Sequence, residues 1–381
     1  MKKICLLTDG IFPYVMGGMQ KHSYYSAKYF ARNEIFTDVY HFIPNDKKHL
    51  KLKDFFSEKE LIFLNFHEID FPKSIYFPGH YLYNSYIFSK NIFDILIKNL
   101  KNVKLIYSQG FSAWYLLKNK TKINNSIKIA VNFHGLEMFQ KTVNFKNLFE
   151  NHLLKKPVLY NLNRSDFSIS LGGKLTNILY KNTKYKEKIK EISIGIEKKW
   201  LFNGEIKNNK IRKFVFIGRY EKRKGIPQLQ NVLKNLQKDL KYSFEFIGAI
   251  PEKIRLKDEK IVYHGVILEE NKIMNILQNA DFIVVPSFSE GMPTVILEAM
   301  SCACAVIATD VGAVNCLVNE KTGWLIEAVN LKQLEKSIIQ AISISDNELL
   351  EKKKNALSLI KEKFLLEKVI EKTLKELRFN D

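Results

Sequence analysis

Two carboxylates, Glu290 and Glu298, stand eight positions apart in SFSEGMPTVILEAM, Ser287 to Met300, a run that is otherwise largely apolar. Acids at this spacing suit a catalytic pair, a metal site, surface charges on a helix, or two grips on one ligand. The local pattern separates these. DFIVVPS reads as a strand ending at Pro286 and Ser287, Ser289-Glu290-Gly291 as a turn, and Pro293 as the first residue of a helix, where its missing N–H is harmless. Glu290 then lies in the loop before the helix. Glu298 lies about five residues into it, an offset of roughly 7 to 8 Å at 1.5 Å per residue. Between them the helix start offers free N–H groups at Thr294 and Val295 and a positive dipole end, which suit a phosphate. A nucleotide sugar fits this layout, with the sugar by Glu290, the diphosphate at the helix start and the ribose by Glu298. As plain structure, Glu290 would be a first-turn carboxylate and Glu298 a solvated helix charge. Val295, Ile296, Leu297, Ala299 and Met300 surround Glu298 with apolar neighbours and weaken that reading.

Three further stretches carry polar chemistry at the ends of apolar runs. In FIGRYEKRKGI, Gly218 permits a close turn, and Arg219 and Lys224 reach a diphosphate as a fork and a point charge. After the first apolar run, Gly17 and Gly18 directly precede a helix, so backbone can approach a phosphate there, although the three-glycine dinucleotide spacing is absent and a lone Gly-Gly is more often a plain turn. His22 in that helix reads as structural. In VNFHGLE, His134 and Gly135 follow a buried-looking run, which suits a histidine facing a cleft to bond a sugar hydroxyl or a nearby carbonyl, or equally a satisfied core or loop histidine. Cys302, Cys304 and Cys316 have no fourth ligand at zinc spacing, and no Asp-x-Asp is present to hold a divalent ion, so no metal and no cofactor are expected.

These stretches need strands to present them. Short β-branched or aromatic runs alternate with amphipathic segments throughout, the sequence form of repeated βα units and a parallel sheet. Six such runs lie between Lys3 and Leu171 and six between Arg212 and Ala328, with helices expected at Met19–Asn33 and Ser85–Leu100. A polar segment with Gly195 and Gly204 separates the series, so we expect an N-terminal domain over 1–200 and a C-terminal one over 201–365. A final helix over 366–381 is suited to packing back on the first domain. The fold class is α/β, two doubly wound Rossmann-like domains facing each other across a cleft, with their ligand-binding strand ends opposed.

The chain has 381 residues and a formal charge of +20 from sixty Lys and Arg against forty Asp and Glu. That excess favours an anionic partner, although a Lys-, Ile- and Asn-rich composition of the kind an AT-rich genome imposes accounts for it equally well. No export signal or membrane-spanning run is seen, and four cysteines argue against a disulfide framework, so a reducing cytoplasm is expected. The aromatic run from Tyr76 to Phe88 and the nearby lysines suit an acceptor groove or the inner face of an anionic membrane, or simply core.

Taken together, the stretches resemble the retaining glycosyltransferases of family 4, which have the two-domain GT-B architecture. The resemblance is densest from Lys213 to Ala328, where GRYEKRKG, the E-x7-E pair Glu290 and Glu298, and KTGWLI occur in order; in the first domain only Gly17-Gly18 and His134-Gly135 support it. It implies catalytic roles around Glu290, His134, Arg219 and Lys224. It also implies a donor, UDP- or GDP-linked, bound by Gly17, Gly18, Gly218, Arg219, Lys224, Glu290, Gly291, Met292, Pro293, Thr294, Val295 and Glu298. The acceptor would be a glycan or lipid-linked hydroxyl, and the departing diphosphate would be stabilised by fixed cations without a metal. The chain departs from the family at Ala303 and Ala305, small residues where Gly and Pro are common, and at Asn315 and Cys316, where Pro-Glu is frequent. Arg223 is an alternative to Lys224.

A nucleotide-sugar 2-epimerase of the same fold is the rival enzyme; it requires additional acid-base carboxylates in the first domain. A catalytically silent subunit does not account for intact Glu290, Glu298, Arg219 and Lys224. A nucleic-acid-binding protein accounts for the charge, but no recognition motif accompanies it, so no nucleic acid is expected.

Overall fold

The computed structural model describes residues 2–72, 79–140, 145–327 and 330–380. Two parallel sheets with helices on both faces form two Rossmann-like domains. The first sheet contains β1 (Lys3–Leu7), β2 (Phe36–His41), β3 (Leu64–Glu68), β4 (Val103–Gln109), β5 (Lys128–Asn132), β6 (Phe167–Ser170) and β7 (Ile189–Glu191), in the order β3-β2-β1-β4-β5-β6-β7. The second contains β8 (Arg212–Ile217), β9 (Tyr242–Ile247), β10 (Ile261–Gly265), β11 (Phe282–Val285), β12 (Ala305–Thr309) and β13 (Gly323–Ile326), in the order β10-β9-β8-β11-β12-β13. Each apolar run of the sequence is a strand. β7 was not legible because its three residues, Ile-Lys-Glu, sit at a sheet edge and only Ile189 is buried.

Strand order reverses between β1 and β4 and again between β8 and β11, so the loops after those strands splay apart and leave a crevice at each sheet's carboxyl end. The central strands are buried on both faces, as parallel strands covered by helices must be: β12 has no residue exposed, and Phe214 stacks between Phe282 and Phe244 at centroid distances of 4.8 and 6.1 Å. One apolar cluster runs across the boundary, joining Phe111, Leu136 and Leu171 of the first domain to Met292, Ile296 and Val314 of the second.

The first long helix covers Gly18–Arg32, close to expectation. The second runs over His80–Leu96 rather than Ser85–Leu100, because Gly79 in the left-handed region starts it earlier and Lys98 and Asn99 close it with turn bonds to Ile95 and Leu96. Of the aromatic run Tyr76–Phe88, residues 76–78 lie outside the described residues. The rest is split, with Phe88 in the core and Tyr81 and Tyr83 about half exposed.

The chain crosses between the domains twice. At the first crossing Ile196 N–H donates to Phe364 O (2.9 Å), and at the second Leu366 N–H donates to Ile196 O (3.0 Å), so the two crossings form a small parallel bridge. Gly195 is fitted here, since a Cβ on it would lie 3.0 Å from Leu366 Cα. Beyond the bridge the Leu366–Glu376 helix lies on the first domain, where Leu366, Val369, Ile370 and Leu374 share a core with Ile4, Leu6 and Leu105. Among the described residues, no helix is long and apolar enough to cross a membrane.

Candidate active site

The loops at the two switch points enclose a cavity of about 570 Å³ between the domains. From the second domain come Gly218, Arg219, Arg223 and Lys224 after β8 and Glu290 to Val295 after β11; from the first come Asp9, Gly17 and Gly18 after β1, Gly110 after β4, and His134 and Gly135 after β5.

Glu290 is 5% exposed and is not a surface charge. Lys224 Nζ donates to its Oε1 at 2.6 Å and Arg223 Nη1 lies 3.4 Å from its Oε2, so two cations reach one carboxylate. Its backbone carbonyl accepts from Gln140 Nε2 of the first domain at 2.7 Å. Behind it sits Gly312, at φ 57°, where a Cβ would meet the carbonyl oxygens of Glu290 and Gly291 at 2.2 and 2.4 Å. Only glycine allows that close approach and that backbone conformation together.

The helix after this loop spans Thr294–Ser301, and Pro293 is its cap rather than its first residue: its ψ of 116° is extended, which places its carbonyl to accept from Ile296 N–H at 3.1 Å. The unclaimed donors of the first turn are then those of Thr294 and Val295, which line the cavity. Glu298 is 8% exposed, on the same helix, and burial holds its carboxyl above the usual glutamate value. Its cationic neighbour is Lys21 of the first-domain helix, 3.6 Å away, which also lies 3.5 Å from Glu270. A space of only about 30 Å³ remains between Glu298, Lys21, Gly195 and Leu366.

The cations divide unequally. Lys224 engages Glu290, whereas Arg219 is exposed and its Nε lies 3.0 Å from Glu221; it lines the cavity without touching either acid. Arg223, named in the sequence only as an alternative, touches Glu290, Glu221 and Glu137 together.

Across the cleft, His134 has φ 57° and its Nε2 lies 2.7 Å from Gln109 Oε1, which assigns the proton to Nε2 if Gln109 presents its oxygen. Burial, with His22 at a ring-centroid distance of 5.0 Å, pushes its pKa well below that of an ordinary histidine, so it is neutral at pH 7. His22 is buried with its Nε2 3.0 Å from the Tyr107 hydroxyl, and it lines the small space beside Glu298. Gly18 opens the first helix, and a Cβ there would come no closer than 3.8 Å, to Thr294 Cγ2 of the facing helix. Asn315 and Cys316 fill the space over Gly173 and Gly172 and do not line the cavity.

Sequence reasoning did not single out Asp9. It follows Thr8 at the end of β1, lines the cavity, and burial lifts its carboxyl to about 6. An acid two residues past an apolar run before a Gly-rich loop was the available signal. No group of three or more His, Cys, Asp or Glu suited to a metal ion occurs among the described residues.

Residues 211–343 match the family model described as glycosyl transferases group 1. Over 184 residues the chain is 30% identical to a putative teichuronic acid biosynthesis glycosyltransferase of Bacillus subtilis, covering 44% of this chain and 46% of the relative. Over 116 residues it is 34% identical to a UDP-Gal:alpha-D-GlcNAc-diphosphoundecaprenol alpha-1,3-galactosyltransferase of Escherichia coli, covering 30% of this chain and 27% of the relative. The matches span less than half the length of either. A sucrose-phosphate synthase from Thermosynechococcus elongatus shares the fold at TM-score 0.79 and 16% identity, over 99% of this chain and 98% of that one. Residues 211–343 thus resemble the group 1 glycosyltransferases, and the whole chain shares its two-domain fold with that synthase.

Proposed function

We propose that this chain is a retaining glycosyltransferase of family 4. It moves a sugar from a UDP- or GDP-linked donor to a hydroxyl of a glycan or lipid-linked acceptor in surface polysaccharide or glycoconjugate biosynthesis, without a metal. The observation that carries this reading is the placement of Glu290 and Glu298, both buried, at either end of a free helix N-terminus, with Lys224 and Arg223 at one end and Lys21 at the other. Buried carboxylates held only by movable cations suit hydroxyl groups, which can replace those cations, and the released cations then suit a diphosphate.

In this reaction the bond from the anomeric carbon to the diphosphate oxygen breaks, and the acceptor oxygen bonds to the same face. The diphosphate keeps the electron pair and one of its oxygens takes the acceptor's proton. Lys224, Arg223 and the N–H groups of Thr294 and Val295 stabilise the charge that develops there; Arg219, exposed and tied to Glu221, closes in from the rim. Glu290 holds sugar hydroxyls and Glu298 the ribose. Neutral His134, fixed by Gln109, offers a hydrogen bond near the reacting carbon. The basic charge and the aromatics beside the cleft support an acceptor approached from the inner face of a membrane.

A screen of UDP, GDP, UDP-glucose, UDP-galactose, UDP-GlcNAc and GDP-mannose by thermal stabilisation tests the reading. At least one should raise the melting temperature by mass action, and no shift with any of them would overturn it. The 2-epimerase is the second reading because Asp9 supplies a carboxylate in the first domain; a 2-epimer formed from UDP-GlcNAc without acceptor would select it.

A further inference from the structure

We propose that the first-domain wall of the cleft, Asp9 with the rings of Tyr81, Phe111 and Phe133, seats an uncharged sugar ring of the acceptor, with Asp9 taking the hydrogen of one of its hydroxyl groups. The proposal rests on the transferase reading and names the acceptor class for that site.

The wall is built from four separate segments that converge on the cavity: the loop after β1, the Gly79–Leu96 segment, the loop after β4 and the end of β5. Phe111 is the hub, with ring centroids 6.2 Å from Tyr81, 4.9 Å from Phe133 and 5.1 Å from Trp114. Tyr81 and Phe133 meet Phe111 edge-on, at 69° and 75°, an apolar surface suited to the C–H groups of a sugar ring. Asp9 is the charged group of this wall. Its Oδ1 is shut off from solvent and has no hydrogen-bond partner among the described residues, and the carboxylate enters no ion pair there. A buried polar atom without a partner is costly, and native structures keep such atoms where something else completes them. The carboxyl bonds to its own backbone N–H, and Oδ1 is the oxygen left for a ligand hydroxyl.

Charge decides what completes it. The cations lining the cavity, Arg219, Arg223 and Lys224, all belong to the second domain, beside Glu290. A phosphate or uronate on the first-domain side would face an uncompensated carboxylate, whereas a hydroxyl would satisfy it. The wall therefore selects a neutral glycosyl acceptor over an anionic one, while the anionic donor is drawn to the opposite wall.

The test uses the full chain as wild type and as Asp9→Asn, which keeps the shape, with Phe111→Leu as a second variant. Octyl glucoside, octyl galactoside, octyl N-acetylglucosaminide and glucose 6-phosphate serve as acceptor probes in the presence of UDP, with binding read by saturation-transfer NMR. A neutral glycoside should bind the wild type, and Asp9→Asn should weaken it at least tenfold while the UDP-induced melting shift stays within 1 °C of wild type. Phe111→Leu should weaken the same glycoside with the UDP shift retained. The proposal is overturned by unchanged glycoside binding in Asp9→Asn, by no neutral glycoside binding the wild type, or by preferential binding of glucose 6-phosphate. A wild type that responds to no nucleotide fails at the earlier step and removes the transferase reading itself.

Discussion

Under the proposed function, Glu298→Gln isolates the far grip on the nucleotide. A hydrogen bond to a charged group contributes about 1.5 to 3 kcal/mol, and the ionised Glu298 offers two oxygens to two ribose hydroxyls. Glutamine keeps one oxygen and loses the charge. Binding also displaces Lys21, which sits 3.6 Å from the carboxylate with both side chains partly shielded, at 25% and 10% exposure. A pair of that kind contributes at most about 1 kcal/mol, and its loss is avoided in the glutamine variant. The net weakening is then about 1 to 2 kcal/mol, or roughly five- to thirtyfold in Kd. At a UDP or GDP concentration about 100 times the wild-type Kd, the stabilisation of about 2.7 kcal/mol should fall to roughly a third at the upper end of that range. Titration calorimetry with the stabilising nucleotide measures Kd directly, and the ligand-free melting temperature should not fall, because burial already disfavours the Glu298 charge. Lys21→Met should change the affinity in the opposite sense, since it leaves Glu298 without its competitor. A Glu298→Gln Kd within twofold of wild type refutes the reasoning.

Three further outcomes follow from the fold. Lys353 and Asp281 form a buried ion pair at 3.0 Å, 4% and 0% exposed, so Lys353→Met should cost about 3 to 5 kcal/mol by urea denaturation, and adding Asp281→Asn should restore part of it. Ala303 holds φ 61° at the end of the Thr294–Ser301 helix, and Ala303→Gly should stabilise by about 1 kcal/mol, seen as a higher melting temperature. Burial depresses His22 and His41 to about 4. Below pH 6.5 the unfolded chain takes up protons that the folded chain refuses, so stability should fall between pH 6.5 and 4, and His22→Gln should flatten the urea-midpoint profile over that range.

The strands and the loop-helix that carries Glu290 and Glu298 were readable because their information is local: apolar runs, a turn and a proline within fourteen residues. Lys21 was not, because it meets Glu298 only when the domains dock, and 277 positions separate them. Arg223 and Lys224 are neighbours with the same charge, and both reach Glu290, which no spacing shows. His134 could be placed after its strand, but its tautomer depends on Gln109, from another strand. Ala303 read as a harmless size change; the backbone shows that the relevant property is conformation.

The bridge between Ile196 and Leu365 ties the two crossings to each other by backbone hydrogen bonds, so the chain passes between the domains at one place. The small space by Glu298 abuts Gly195 and Leu366 beside that bridge, while Glu290 and Gly135 line the larger cavity. A donor held as proposed would have its nucleoside end beside the bridge, so stiffening the bridge is expected to slow nucleotide departure.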